Sequence, residues 1–463
     1  GVRKTWQFGP IAMQSTPGLN TENLYSKEWH VDSTIPMSED CLQLNVWTPA
    51  CHTDEKLPVM VWIFGGGLQV GYPSEMEFDG ERFARRGVIL VSLNYRLNAF
   101  GFLAHPEITA ENPEQATNFG HWDQRFGIEW VKRNIAAFGG DPDNITIFGQ
   151  SAGGGSTIVQ VASPKNAGLF QRAIVHSGGG LIPPGLNSPT LSEAEQRGIA
   201  FFKFLGVQSL AEARDVDAIT LRDKAEAFYP TARWGSVIDG TLIPDYPSYR
   251  ISENLRNPVD LIIGHTADEF PVKPVAATEQ ELEAYARGRL GTQADAYLSL
   301  CREDAETLDD MLQNGTWNRF EIGDLLWGDV NAELGTSKMY AYLFDPSIPG
   351  PDHPGSFHSS DLWFAFETLA KCWRPFVGKH YDLARRMCTY WTNFAKTGDP
   401  NGLDVDGTPL PAWRPYTADS TERMRLCDVT EMEQEERSAL NAFLVTYYKE
   451  RLRARELKGL FEF

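Results

Sequence analysis

The sequence predicts an α/β fold with a mostly parallel central sheet flanked by helices, and three observations predict it. Six short, apolar, β-branched runs recur along the chain: PVMVWIF (58–64), GVILVSLNY (87–95), NITIFG (144–149), RAIVHSG (172–178), VDLIIG (259–264) and KMYAYLF (338–344). Their near-continuous hydrophobicity fits strands covered on both faces, as in a parallel sheet. Helical patterns lie between them. The clearest, HWDQRFGIEWVKRNIAAFGG (121–140), sets Phe126, Trp130, Ile135 and Phe138 near one face before a glycine stop. Strands alternating with helices in this way wind a sheet on both sides.

Two stretches break the rhythm. Residues 185–235 and 270–335 are charged, helical in pattern and without strand runs. No Ser/Gly linker bounds them, so they read as excursions from a single domain over 1–463, forming a cap above the strand ends. KMYAYLF reads as the last strong strand. The closing segment, 431–455, is amphipathic.

Composition narrows the partners. The chain has 463 residues, 42% hydrophobic, with a net charge of -20 from 42 basic and 62 acidic side chains. Such an excess repels phosphate backbones and anionic membrane surfaces, so nucleic acid and lipid headgroups fit poorly and a neutral or cationic small molecule fits better. No run of 18 apolar residues is present to span a bilayer. Cys41, Cys51, Cys301, Cys372, Cys388 and Cys427 lack metal-type or disulfide-dense spacing, which reads as free thiols in a reducing compartment. The expected setting is a cytoplasmic monomer or homodimer.

The stretch IFGQSAGGGS (147–156) carries the chemistry. Gly149-Gln150-Ser151-Ala152-Gly153 is G-x-S-x-G between a strand and a helix opening. A serine on so sharp a turn needs neighbours without a Cβ two residues to either side, because they pack against each other. The helix that follows aims its free N–H groups and positive dipole end at the same place. A nucleophilic serine also needs oxyanion donors and a base. Phe64-Gly65-Gly66-Gly67, directly after PVMVWI, can turn backbone N–H groups toward a ligand; Gly66, Gly67 and Ala152 are the expected donors. The base belongs on a late loop above the strand ends. PSIPGPDHPGSFH offers His353 and His358; His358, against SDLWFAF, has packing to hold its ring. For the acid that orients it, the end of VDLIIGHTADEF offers Asp268 and Glu269. Asp141-Pro142-Asp143-Asn144 is not a calcium loop, since Ile145 and Ala152 stand where oxygen ligands are needed, and the chemistry calls for no metal or organic cofactor.

These blocks, together with MSEDCLQLNVWTP (37–49), VILVSLNYRLNAFGFL, DQRFGIEWVKRNIAAFGGDPDNITIFGQSAGG, SVIDGTLIPDYP and FHSSDLWFAF, resemble the type-B carboxylesterase and cholinesterase-like branch of the α/β-hydrolases. The likeness runs from about residue 1 to about 415. It implies the α/β-hydrolase fold and a serine carboxylic-ester hydrolase. It also selects Glu269 over Asp268, through the family's G-x-x-x-D-E motif, and matches His358, giving a triad Ser151, Glu269, His358. Departures stand out. Gln150 replaces a glutamate common in relatives, Phe64 replaces a histidine or tyrosine, and no cysteine precedes Cys41 to close the cholinesterase loop disulfide. Two alternatives use the same scaffold: an inactive adhesion or scaffold protein, and an amide or carbamate hydrolase.

Overall fold

Alternate residues of each central strand enter different cores. In the computed structural model, which describes residues 5–15, 27–28, 34–182, 188–231, 233–270, 273–434 and 437–456, Val59 and Val61 of β2 (Leu57–Ile63) point to one face and Met60 and Trp62 to the other. The same split divides Ile145 and Ile147 from Phe148 in β4 (Gly140–Gln150). It recurs in β5 (Arg172–His176) and β6 (Asp260–Thr266), where Ala173, Val175, Leu261 and Ile263 oppose Ile174 and Ile262. Both faces are therefore dry, which is why these strands read as unbroken apolar runs.

Among the described residues the sheet has nine strands in the order β1-β3-β2-β4-β5-β6-β7-β8-β9. From β3 (Ile89–Leu93) through β8 (Glu422–Leu426), by way of β7 (Met339–Phe344), every pairing is parallel. The outermost strands, β1 (Leu44–Trp47) and β9 (Glu431–Gln434), pair antiparallel. On one face lie the helices Phe119–Asn134, Ala152–Ala162, Arg319–Leu334 and Ala439–Arg453, which contribute Ile128, Ile158, Leu326 and Leu444 to its core. The helix Gly378–Thr397 covers the other with Leu383, Met387, Trp391 and Phe394. This is the α/β-hydrolase fold. None of the described helices is long and apolar enough to cross a membrane.

Three expectations are corrected. KMYAYLF is not the last strand: β8, with sequence ERMRL, follows it, and only Met424 and Leu426 are buried there. Segment 431–455 likewise opens as β9 before its helix begins at Ala439. Short, charged strands at the margin of a sheet carry too little apolar signal to show in sequence. Finally, Phe126, Trp130, Ile135 and Phe138 do not share the core-facing side of their helix. Ile128, Val131 and Ile135 are fully buried, whereas Phe126 and Phe138 are 44% and 38% exposed. The helix also buries polar residues, among them Gln124, whose amide donates to Ser156 Oγ at 3.1 Å.

All six cysteines are free thiols: Cys41, Cys301 and Cys388 buried, Cys372 and Cys427 half-buried, Cys51 exposed. The excursions are helical where described. The first carries Leu191–Leu205 and Ala218–Phe228, whose Phe201, Phe202 and Phe228 pack with Trp234 on Ala99 and Phe102. The second carries Glu279–Leu290, Ala294–Arg302, Leu308–Asn314 and Arg319–Leu334.

Candidate active site

Ser151 occupies the single residue between β4 and the helix Ala152–Ala162, at φ 56° and ψ -123°. A side chain held there costs about 1–3 kcal/mol of backbone strain. Two backbone bonds hold it: Ser151 N–H donates to the His176 carbonyl at 3.0 Å, and Gly155 N–H donates to Ser151 O at 2.8 Å. The flanking glycines leave no room for a Cβ. One on Gly149 would stand 2.4 Å from Gly153 O, and one on Gly153 would stand 2.1 Å from Ile63 O. The strand end that receives Ser151 is itself pinned. His176 shares Nδ1–H with Asp361 Oδ2 at 2.8 Å while Trp391 Nε1–H donates to its Nε2 at 2.7 Å, all three buried.

The glycine loop begins at the end of β2. Phe64 stacks on Tyr95 at 4.3 Å, and the Tyr95 hydroxyl donates to Phe64 O at 2.7 Å, so the loop leaves from a fixed point. Gly66 takes φ 104°, where a Cβ would lie 2.0 Å from Val70 O. Gly67 takes φ 65° with open space above it, nothing standing within 4 Å of a Cβ position. Among the described residues, no hydrogen bond uses the N–H of Gly66, Gly67 or Ala152.

His358 and Glu269 arrive on neighbouring loops after β7 and β6. Glu269 and Phe357 form a parallel bridge, and His358 N–H donates to Glu269 O at 2.9 Å. The His358 Nδ1–H donates to Glu269 Oε2, whose other oxygen accepts from Thr266 N–H at 2.9 Å. Both residues are buried. Burial alone would raise the Glu269 carboxyl, but the imidazole beside it wins and holds it below its ordinary value. Asp268 does other work: its carboxylate accepts from Ser356 N–H at 2.6 Å and fixes the loop leading to His358. His353 stands exposed on that loop, at φ 44°.

The remaining ring nitrogen of His358 faces the elbow. With Nδ1 protonated, Nε2 accepts, and Gln150 Nε2–H donates to it at 3.3 Å. A Cβ placed on Gly65 would lie 3.1 Å from both Gln150 Oε1 and Ser151 Cβ, so the amide that reaches the imidazole lies beside the serine. The Ser151 hydroxyl makes no hydrogen bond among the described residues. Catalytic bonds of this kind commonly close only around a bound substrate.

Sequence reasoning missed several neighbours. Phe270 lies 4.2 Å from the His358 ring and Phe320 lies 5.5 Å from it, ring centre to ring centre. Adjacency to Glu269 could have flagged Phe270. Nothing in the chain's order points to Phe320, some fifty residues onward in the second excursion. Gln150 was visible as a departure but not as a partner of the imidazole. Leu68 is half-buried at φ 63° beside the loop, whereas Trp122 is core, packed with Val159, Leu242 and Ile243.

The comparisons agree with this architecture. The model of the Carboxylesterase family matches residues 1–443. The bile salt-activated lipase of Mus musculus is 33% identical over 91% of this chain and 74% of its own length. The para-nitrobenzyl esterase of Bacillus subtilis (strain 168) is 32% identical over 84% of this chain and 79% of its own. Among solved structures, the carboxylesterase EST55 of Geobacillus stearothermophilus superposes with a TM-score of 0.74 at 30% identity, covering 98% of this chain and 90% of that one. A PNB esterase structure gives 0.75 at 29% identity over 95% and 88%. The chain belongs to the carboxylesterase family, enzymes that act on carboxylic ester bonds.

Proposed function

We propose that this enzyme hydrolyses a small-molecule carboxylic ester through a Ser151–His358–Glu269 triad and an acyl-enzyme. The observation that carries the reading is the buried imidazole of His358, tied at Nδ1 to Glu269 and presenting Nε2 to the corner that Ser151 occupies. His358 takes the Ser151 proton as the hydroxyl attacks the acyl carbon, and returns it to the departing alcohol. Glu269 keeps the ring in the Nδ1–H tautomer and stabilises the imidazolium that forms. Gly66, Gly67 and Ala152 N–H groups hold the oxyanion, each worth about 3 kcal/mol in such sites. Water then attacks the acyl-enzyme with His358 as base. The decisive experiment is stoichiometric labelling with a fluorophosphonate, the adduct mapped by mass spectrometry. It is expected on Ser151; an adduct elsewhere overturns the assignment.

Gln150 gives an independent check. Gln150→Glu puts a carboxylate against His358 Nε2, which stabilises the protonated ring and withholds the base. The acid limb of the kcat/KM–pH profile is expected to move to higher pH, by about one unit. A limb that stays put would show that residue 150 does not address the working nitrogen.

A further inference from the structure

Given the catalytic reading above, we infer that Arg374 is a positioning residue for the base: it clamps the proline-rich loop that carries His358 and so keeps the imidazole aimed at the serine.

The loop between β7 and His358 is poorly equipped to fasten itself. Pro346, Pro349, Pro351 and Pro354 remove backbone N–H donors along it. Its two ends are tied by side chains. His380 Nε2–H donates to Ser347 O at 3.0 Å, and the Ser356 hydroxyl donates to Pro346 O at 2.7 Å. Arg374 takes the middle. A guanidinium has five N–H donors, and here each faces an acceptor. Nε and Nη2 face Glu28 Oε1 at 2.8 and 2.6 Å. Nη1 and Nη2 each donate to an Asp352 oxygen at 3.0 Å, and Nη1 also donates to Pro349 O at 2.9 Å. A Cβ on Gly350 would stand 2.5 Å from Arg374 Nη1, so the loop backbone lies directly against the guanidinium.

Phe357 connects this clamp to the chemistry. The Arg374 guanidinium carbon stands over its ring, 5.4 Å from the centre, and Phe357 itself bridges to Glu269. Arg374 therefore holds the loop at residues 349–352 and again at 357, one residue short of the base. Stability alone is a weak reason for such a cluster. The Arg374 and Glu28 side chains are fully buried, and buried ion pairs are often no more stabilising than apolar residues of the same volume. What the cluster supplies is direction. A planar fork sets several partners at fixed angles, which an ammonium on a flexible stem cannot do. Its hydrogen bonds also hold the Asp352 carboxyl below its ordinary value, so the partner on the loop stays charged. A displacement of about 1 Å in a catalytic group can cost about a hundredfold in rate, so a small slip of this loop would lower turnover without disturbing where the ester binds.

Steady-state hydrolysis of a short 4-nitrophenyl ester, expressed per site labelled by a saturating fluorophosphonate, tests this in Arg374→Lys and Asp352→Asn. Arg374→Lys is expected to lower kcat per labelled site by roughly tenfold or more and Asp352→Asn by about threefold, each with KM within about twofold of the wild type. The double variant is expected to match Arg374→Lys rather than the product of the two losses, because both substitutions release the same loop. A role in stability alone would lower the melting temperature and leave kcat per labelled site unchanged, and that result overturns the inference. A rise in KM at constant kcat overturns it as well. Should Arg374→Lys not fold, Asp352→Asn decides the question by itself, since the Asp352 side chain is 27% exposed. Failure of the wild type to take the label at Ser151 would count instead against the catalytic reading.

Discussion

Ser151→Ala abolishes ester turnover and leaves the fold untouched. The expected loss in kcat is about 10⁴-fold or more, the scale found when a serine nucleophile is removed from such a unit. Stability is expected to stay within about 0.5 kcal/mol, the range of substitutions that remove no buried contact. The reason is local. Alanine keeps the Cβ that already sits at φ 56°, so the strain of the turn does not change. The hydroxyl forms no hydrogen bond among the described residues, so none is lost, while the backbone bonds to His176 and from Gly155 remain. Steady-state hydrolysis of a short 4-nitrophenyl ester measures the first claim, and a thermal melt the second. An active Ser151→Ala enzyme would remove the covalent mechanism.

His358→Ala is expected to be as inactive as the serine variant but, unlike it, unstable. Without its imidazole, Glu269 remains buried with its charge-bearing partner gone, and a stranded buried charge costs about 3–5 kcal/mol. The pH dependence follows from sign. In the wild type the Glu269 carboxyl titrates below its ordinary value, so its contribution is present at neutral pH and lost as pH falls through the folded-state value. In the variant the largest opposing influence on burial is gone, and the folded state shifts toward the protonated acid. The stability gap between the two proteins should therefore be widest near pH 7 and narrow on acidification. His353→Ala removes an exposed ring and should leave both activity and melting near normal. Denaturation at pH 7 and pH 4, beside activity for both variants, checks the pair. A stable, active His358→Ala would reassign the base.

How much of the site was legible depended on how locally it is encoded. The elbow was visible because its constraint acts within five residues: Gly149 and Gly153 touch each other around Ser151. The acid was not. Residues 268 and 269 are adjacent carboxylates of equal promise, and only the resemblance to a family separated them. In the structure the difference is one of direction, Asp268 holding Ser356 N–H and Glu269 holding the imidazole.

Sequence alone determined the layered α/β architecture, strands β2 to β7, the strained serine turn and the glycine loop, because each rests on short-range sterics or on burial of both strand faces. Tertiary structure decided the rest. It turned Phe126 and Phe138 outward, added the short, charged strands β8 and β9, and drew Gln150, Phe270 and Phe320 around one imidazole. Those outcomes depend on which distant segments pack together, and a one-dimensional pattern of apolar and polar residues carries no record of that choice.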